Sequence, residues 1–211
     1  LTGSLSLYED HTRMRGVRDY QPRDGMRRVH WKASARHGDL KVRLYEPAAL
    51  SRVNIVLCAD GFGEFSDSEP FELAASAVAS LGCHCIEHQM QVGFLSNARL
   101  IAGSRTARLS PGSGNAHLTA LLELLSRATP ALSAPFEELM GELQRLASSG
   151  SGLIIVVGRL NGHFASAFAG LAAERCPLLV LTADSAAPHQ SVPFPCRPLS
   201  GPDGLLDLEV A

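Results

Sequence analysis

The sequence has few aromatic residues, few charged residues and no long apolar run. Aromatic residues make up 6% of the 211 residues, and charged residues make up 19%. No purely apolar run is longer than the five residues of Leu153–Val157, whereas a membrane-spanning helix needs about 20. The sequence therefore predicts no membrane span, and we expect no signal peptide at its start. The 45% of hydrophobic residues instead predict a folded globular domain.

The five cysteines are an odd number without a regular spacing. Disulfide frameworks of secreted domains usually use an even number of cysteines. The cysteines therefore predict a reduced, intracellular setting. Because the sequence starts at Leu1 rather than at a methionine, we interpret it as part of a longer protein.

The net charge of −2 hides an uneven distribution. Residues 13–52 hold eleven Lys and Arg against four Asp and Glu, a net charge of +7, so the remainder carries −9. Such a basic segment can bind phosphate, anionic lipid or an acidic partner, or it can pair with acidic residues of its own chain. Its aromatic residues are only Tyr20, Trp31 and Tyr45, a weak stacking platform for a nucleic acid. We therefore predict no nucleic-acid partner and keep nucleic-acid binding as a third hypothesis.

Residues 1–50 predict a short β-rich, Arg-rich lead. Leu5–Tyr8 and Lys41–Glu46 alternate in polarity, which predicts half-buried strands. The polar stretch between them has few helical signals and is punctuated by proline and glycine.

Residues 51–185 alternate between apolar runs and helical patterns. The predicted strands are Val53–Ala59, Gln91–Leu95 with Leu100–Ala102 as its hairpin partner, Gly152–Val157 and Leu178–Leu181. The predicted helices are Phe71–Ile86, Ala116–Ala128, Phe136–Leu146 and His163–Glu174. This alternation predicts an α/β fold with a doubly wound, mostly parallel sheet. Residues 186–211 predict a loop-like, Pro-rich tail.

The predicted fold also suggests where a ligand would bind. In open α/β sheets, ligands bind at the carboxyl ends of the strands. We expect that crevice near the following four residues: Asp60, Asn97, Gly114 and Gly158.

The Arg-rich lead resembles the signature of the domain-of-unknown-function 58 family, which runs roughly Arg-x-Tyr-x-Pro-Gly-Asp-x-x-Arg-x-Ile-x-Trp-x-x-Ser-Ala-Arg and continues into a Val-Arg strand. The residues that fit are Arg18, Tyr20, Pro22, Asp24, Arg27, Arg28, Trp31, Ser34, Ala35, Arg36, Leu40, Val42 and Arg43. Departures are Arg23 in place of glycine and His30 in place of a common acid.

The resemblance implies a von Willebrand factor A-like domain, transmembrane helices upstream of this chain, and a MoxR-type AAA+ ATPase as partner. We therefore predict a non-catalytic adaptor without a cofactor at the cytoplasmic face of the membrane. Guanidinium groups pair with carboxylates and stack on aromatic rings, so the signature predicts a structural or docking network. Its members are Arg18, Tyr20, Asp24, Arg27, Arg28, Trp31, Ser34 and Arg36.

The resemblance also raises the question of whether a magnesium site follows the first strand. Von Willebrand factor A domains bind Mg²⁺ through an Asp-x-Ser-x-Ser turn after the first strand, completed by oxygen ligands from two further loops. Asp60 has the right place, but Phe62 and Glu64 replace the serines, and Arg159 lies where an acid is expected. We predict a degenerate site that holds no metal, and keep Mg²⁺-dependent binding around Asp60 as an alternative.

A zinc-dependent hydrolase is the other alternative. His84, Glu87 and His88 match the H-x-x-E-H pattern, in which two histidines bind Zn²⁺ and the glutamate is the general base. A third ligand would have to come from another helix, with the candidates Glu137, Glu138 and Glu174.

Other catalytic motifs are missing from the sequence. Asp60-Gly-Phe-Gly63 lacks the third glycine of a dinucleotide-binding turn, and neither a P-loop nor a G-x-S-x-G motif occurs. These absences favour a protein that is not an enzyme.

Overall fold

The computed structural model describes residues 9–21, 26, 29–47, 52–62, 68–101, 107–174, 176–184 and 192–199. The chain divides into two compact units, Leu1–Ala49 and Leu50–Ala211. Each unit is described by itself.

The N-terminal unit is an antiparallel strand pair with a short helix between the strands. Strand β1 spans Glu9–Asp19, helix α1 spans Trp31–His37 and strand β2 spans Lys41–Pro47. The predicted strand at Lys41–Glu46 agrees with β2, whereas Leu5–Tyr8 lies outside the described residues.

Helix α1 is absent from the prediction, which assigned this stretch to irregular chain. The helix begins because His30 Nδ1 accepts a hydrogen bond from Ala33 N at 3.1 Å, a cap of a donor that has no partner inside the helix. It ends at Gly38, which has a φ of +80° and donates from N to Ser34 O, the left-handed ending that glycine favours.

The C-terminal unit is built on a six-stranded sheet. Its strands, in spatial order, are β10 (Cys196–Pro198), β9 (Leu178–Thr182), β8 (Gly152–Val157), β3 (Arg52–Cys58), β4 (Gln91–Ser96) and β6 (Ala107–Gly112). All neighbouring pairs are parallel except β4 and β6. Strands β5 (Ala98–Leu100) and β7 (Ala128–Leu132) form a separate antiparallel pair. The predicted α/β class with a mostly parallel sheet is thus confirmed.

Helices cover both faces of this sheet. Helix α2 (Glu69–Glu87) packs on β3, β4 and β8, and helix α3 (Asn115–Ser126) packs on α2 and β6. Helices α4 (Phe136–Ala147) and α5 (Gly162–Ala173) lie on the opposite face. Their buried side chains form a hydrophobic cluster with alternate residues of β3, β8 and β9. The strands are therefore apolar on both faces, which explains their continuous apolar runs. In the part of the chain that the structure describes, no helix has the length and hydropathy to cross a bilayer.

The connections reverse direction at the centre of the sheet. The chain leaves β3 through α2 to reach β4 on one side, and it leaves β8 through α5 to reach β9 on the other. The switch point between β3 and β8 therefore brings the loops after Cys58 and Val157 together at the carboxyl edge.

Three predictions about the connections are wrong. The hairpin partner of β4 is β6, whereas Leu100 lies in β5 and pairs with Ala128 of β7. Gly112 pairs with Val92 at the start of β4. Gly114, two residues later, therefore lies at the amino edge of the sheet and not at the carboxyl edge with Asp60 and Asn97. The chain after Ala183 is not wholly loop-like, because Cys196–Pro198 forms the edge strand β10.

Candidate functional site

Asp60 and Asn97 meet at the carboxyl edge of the sheet, as the sequence predicts. Asp60 follows β3 and Asn97 follows β4, and these strands run parallel. Asn97 Nδ2 donates a hydrogen bond to Asp60 Oδ2 at 2.5 Å, and Ala59 N donates to Asn97 Oδ1 at 2.9 Å. Asn97 is 1% exposed, so its amide is a buried link between the two strand ends.

The same edge is tied to the start of helix α4. Asn97 Nδ2 also donates to Ala134 O at 3.3 Å, while Ser133 donates from N and from Oγ to Asn97 O at 2.8 and 2.9 Å. Buried Ser96 donates from Oγ to Leu57 O at 2.7 Å and accepts from Ala98 N at 3.0 Å. These buried polar groups are hydrogen-bonded within the fold and hold the loops in place.

A cysteine lies directly behind Asp60. Cys58 Sγ donates to Asp60 Oδ2 at 3.6 Å. Burial raises the pKa of the Cys58 thiol far above its usual range, and the Asp60 carboxylate raises this pKa further. A thiol that stays protonated is a poor nucleophile, so Cys58 is a structural hydrogen-bond donor.

The two loops at the switch point contact each other. Gly61 has a φ of +86°, and an added Cβ at this position would lie 3.4 Å from Arg159 N and 3.5 Å from Phe164 Cε2. Arg159 Nε in turn donates to Asp184 Oδ2 at 2.8 Å. The loop after β3 thus passes close to the loop after β8, and an ion pair joins the loop after β8 to the loop after β9.

The geometry around Asp60 lacks the arrangement of a magnesium turn. Phe62 is buried and packs edge to face on Phe71, with 5.3 Å between the ring centroids, and Glu64 lies outside the described residues. Asp60 Oδ2 already accepts from Asn97 and Cys58. Within the described ranges, no three His, Cys, Asp or Glu side chains group as metal ligands.

An open cleft of about 280 Å³ lies beside this edge, between β4, β6 and α4. Its apolar lining includes Leu95 and Leu139, and its charged lining consists of Arg108, Glu138 and Glu142. Glu142 accepts from Arg108 at 3.3 Å, and it also pairs with Arg145. The negative charge of Glu142 is therefore balanced by two guanidinium groups.

The zinc candidate lies at the C-terminal end of helix α2, where His88 is the capping residue. The rings of His84 and His88 lie side by side with centroids 4.2 Å apart, and His88 Nδ1 is 2.8 Å from His84 O. Glu87 accepts a hydrogen bond from Cys83 at 3.5 Å. Burial and the neighbouring His88 lower the pKa of His84, while the Glu87 carboxylate opposes this shift. Glu87 therefore acts on both Cys83 and His84.

The third zinc ligand that the hydrolase alternative requires is also missing from the described part of the chain. The candidates were Glu137, Glu138 and Glu174. Among the side chains that the structure describes, none of these three joins the two histidines in a cluster that could hold a metal ion.

In the N-terminal unit, Ser34 of the family signature holds α1 on β2. Its side chain donates to His30 O at 3.1 Å and accepts from Lys41 N at 2.9 Å. Ser34 is 9% exposed, and the neighbouring Val29 and Val42 are buried. Ser34 therefore fixes which face of α1 is turned inward.

The opposite face of α1 is turned to solvent. Trp31 is 60% exposed, and Lys32, Ala35 and Arg36 are also exposed. At about 100° per residue, these four positions lie on one side of the helix. We name them the α1 face: Trp31, Lys32, Ala35 and Arg36.

The other signature residues have different places. Arg18 donates from a guanidinium nitrogen to Asp19 O at 2.9 Å, and Tyr20 N donates to Leu40 O at 2.9 Å. Asp24, Arg27 and Arg28 lie outside the described residues.

Sequence reasoning missed several residues of these sites. Arg108, Glu138 and Glu142 of the cleft carry no local motif, since β6 and α4 are brought together only by the fold. Asp184 likewise reaches Arg159 from a distant loop. Lys32 lies four residues before Arg36, a spacing that places two side chains next to each other on a helix. Predicting helix α1 would therefore have identified Lys32 as well.

The geometry defines the class of the protein: an α/β domain on a mostly parallel sheet, with its polar loops joined at the carboxyl edge and a small N-terminal unit that carries an exposed aromatic and basic helix face. The model of the family described as "Protein of unknown function DUF58" matches residues 16–186, and the chain belongs to that family.

The sequence matches no curated protein. Among solved structures, proximal thread matrix protein 1 from the mussel byssus is similar with a TM-score of 0.46 and 12% identity over 75% of this chain. The chain spans 46% of that protein's length, and similarity at this level defines neither fold nor function.

Proposed function

We propose that this chain is a non-catalytic protein-binding module that docks a partner protein on the α1 face. The observation that carries the proposal is the exposure of Trp31, the chain's one tryptophan, which is 60% open to solvent. Tryptophan side chains are highly buried on average, and both tryptophan and arginine are enriched among the residues that dominate binding energy at protein interfaces.

The way α1 is held supports this role. Ser34 and the capping residue His30 fix the inward side of the helix through hydrogen bonds to the backbone. The α1 face is therefore presented in one orientation before a partner arrives. A preorganised surface loses less conformational entropy on binding than a mobile one.

The carboxyl edge of the sheet supports binding rather than catalysis. Asn97 and Ser96 are engaged in hydrogen bonds within the fold, and the Cys58 thiol is held protonated by burial. The Cys58 thiol contacts the Asp60 carboxylate, but its raised pKa keeps it protonated, whereas covalent catalysis requires an activated nucleophile. Among the described side chains, no third ligand joins His84 and His88, which disfavours the zinc hydrolase alternative.

The partner that we propose is a MoxR-type AAA+ ATPase, which the family resemblance implies. In the full-length protein, the module would act at the cytoplasmic face of the membrane through an anchor outside this chain. We also propose a von Willebrand factor A-like domain whose metal turn at Asp60 has degenerated. The supporting features are the position of Asp60 after the central strand β3 and the burial of Phe62 where a ligand serine would be.

Affinity capture from native lysate tests the proposal. The full-length protein in mild detergent is used as bait, with and without ATP, and the recovered AAA+ ATPase is quantified. We expect Trp31→Ala and Arg36→Glu each to reduce recovery at least tenfold, since an interface residue that dominates binding contributes about 2 kcal/mol or more.

Two matched variants control for general effects of apolar and charge changes. Ile101→Ala removes another exposed apolar side chain, and Arg197→Glu reverses another exposed charge, both in the C-terminal unit. We expect both controls to retain full recovery. Equal recovery by Trp31→Ala, Arg36→Glu and the two controls, all of them folded by circular dichroism, would refute docking at the α1 face.

A further inference from the structure

We propose that the α1 face binds an extended acidic segment of the partner, in which two carboxylates two residues apart pair with Lys32 and Arg36 while an apolar side chain covers Trp31. This inference rests on the proposed function and adds the chemistry of the partner.

The α1 face carries two cations, Lys32 and Arg36. Lys32 and Arg36 are four residues apart on α1, so their Cβ atoms are neighbours at about 6 Å. Helix α1 contains no acidic residue, and neither cation forms an ion pair with a side chain that the structure describes. Two like charges at this spacing repel each other weakly, and a pair of carboxylates would remove that cost.

Nearby acids are directed elsewhere. Of the acidic residues whose side chains are described in this unit, Asp19 forms an ion pair with Lys41. Asp39 adds to the electrostatic field that, together with the Asp19 hydrogen bond, raises the pKa of Lys41. Both of these acids thus interact with Lys41 on the strand side of the unit.

The spacing of the two cations selects the form of the segment. In an extended chain the rise is about 3.3 Å per residue, so side chains two residues apart lie about 6.6 Å apart on the same side. That distance matches the separation of Lys32 and Arg36. A pattern of Glu-x-Glu therefore presents both carboxylates to the face, whereas adjacent glutamates point to opposite sides.

Trp31 and Ala35 supply the apolar part of the face. An apolar residue two positions before or after the acidic pair points to the same side of the segment and can cover the indole ring. The Arg36 guanidinium can pair with a carboxylate through two hydrogen bonds, which adds geometric selectivity. A nucleic acid fits less well, because successive bases need several stacking rings and this face has one.

Trp31 makes the inference directly measurable, since it is the chain's one tryptophan. The intact 211-residue chain is titrated at low salt with the peptide Leu-Ser-Glu-Ser-Glu-Ser-Leu, capped at both ends, and the emission maximum of Trp31 is followed. We expect a blue shift and affinity at least fivefold higher than for the Gln-x-Gln peptide and for a peptide with adjacent glutamates, Leu-Ser-Glu-Glu-Ser-Ser-Leu. Raising the salt concentration should weaken this preference, because exposed charges are screened.

The double variant Lys32→Gln/Arg36→Gln keeps Trp31 as the reporter and should lose the preference for the Glu-x-Glu peptide. Arg197→Gln should retain it. Equal binding of the Glu and Gln peptides, no shift with any peptide at millimolar concentration, or stronger binding of a thymidine octanucleotide would each overturn the inference.

The two proposals fail separately. If Trp31→Ala abolishes capture of the ATPase but the peptides are not distinguished, the docking face stands and its acidic ligand is wrong. If capture is independent of Trp31, the proposed function fails whatever the peptide result.

Discussion

Asn54 offers a stringent test of how the sheet is packed. It lies within β3, is 3% exposed, and pairs in register with Gly93 of β4 and Leu153 of β8. Its Nδ2 atom has no hydrogen-bond partner among the described residues. The amide sits over Gly93, where an added Cβ would lie 2.2 Å from Asn54 Oδ1. We predict that Asn54→Val stabilises the protein.

The magnitude follows from two opposing effects. Removing a buried amide with an unpaired donor recovers roughly 1–3 kcal/mol of lost hydration. Valine has one side-chain heavy atom fewer than asparagine, and a methyl-sized void costs about 1 kcal/mol. The net expectation is a gain on the order of 1 kcal/mol, which raises the melting temperature by about 2–4 °C in a protein of this size.

Urea unfolding followed by circular dichroism, with a thermal scan, measures this change. Thr182→Val is the matched control, because Thr182 is also buried in the sheet but donates from Oγ1 to Asp184 O at 3.1 Å. We expect the control to lose about 1 kcal/mol with its hydrogen bond. If Asn54→Val lost as much stability as Thr182→Val, the amide would have a partner and the reasoning would be wrong.

Three further changes test other parts of the fold. Ser34→Ala should destabilise the N-terminal unit by about 1–2 kcal/mol, since Lys41 N loses its acceptor; urea unfolding followed by Trp31 emission measures this, and an unchanged midpoint would contradict it. Gly61→Ala should cost about 1–2 kcal/mol because of its left-handed φ, and a thermal shift below about 1 °C would disprove that cost. Burial raises the pKa of Cys85 from 9.0 to about 11, so the folded state keeps a proton that the unfolded state releases. This thiol alone should therefore lower the free energy of unfolding by on the order of 2–3 kcal/mol between about pH 9 and 11. Urea titrations at both pH values should show a fall that is smaller by that amount in Cys85→Ala.

The strands and helices of the central sheet could be predicted because their signals are local. The strand predicted at Gly152–Val157 has the bounds of β8, since a strand covered by helices on both faces is a continuous apolar run. The predicted ends of α4 and α5 differ from the structure by at most one residue. In these elements the hydrophobic period and the flanking glycine or asparagine agree with the tertiary packing.

The missed elements lack such signals. Strands β7 and β10 contain proline and span five and three residues, so their pairing is decided by distant strands rather than by their own pattern. Strand β6 contains Ser-Pro-Gly, which favours a loop when considered alone. Helix α1 buries only one side of seven residues, too short for a periodic pattern, and its signals were the cap residues His30 and Gly38.

Some residues of the candidate sites could be placed from the sequence, and others could not. Asp60 and Asn97 could be placed together from the rule that parallel strands end at one edge. Gly114 was misplaced by that rule because the antiparallel direction of β6 is a property of its pairing with β4. The exposure of Trp31 could not be predicted either, since it depends on which side of α1 Ser34 ties down.

Strand β10 determines where the C-terminal unit can be shortened safely. It closes the outer side of β9, with Val180 N donating to Pro195 O at 2.9 Å and Leu199 N donating to Thr182 O at 2.7 Å. Being short and bounded by prolines, it offers little to a further strand. The family match ends at residue 186, so a fragment trimmed to that boundary would leave the apolar strand β9 with an open row of backbone donors and acceptors. Such a fragment would be prone to self-association through that edge. A fragment extended past Leu199 keeps β10 paired with β9.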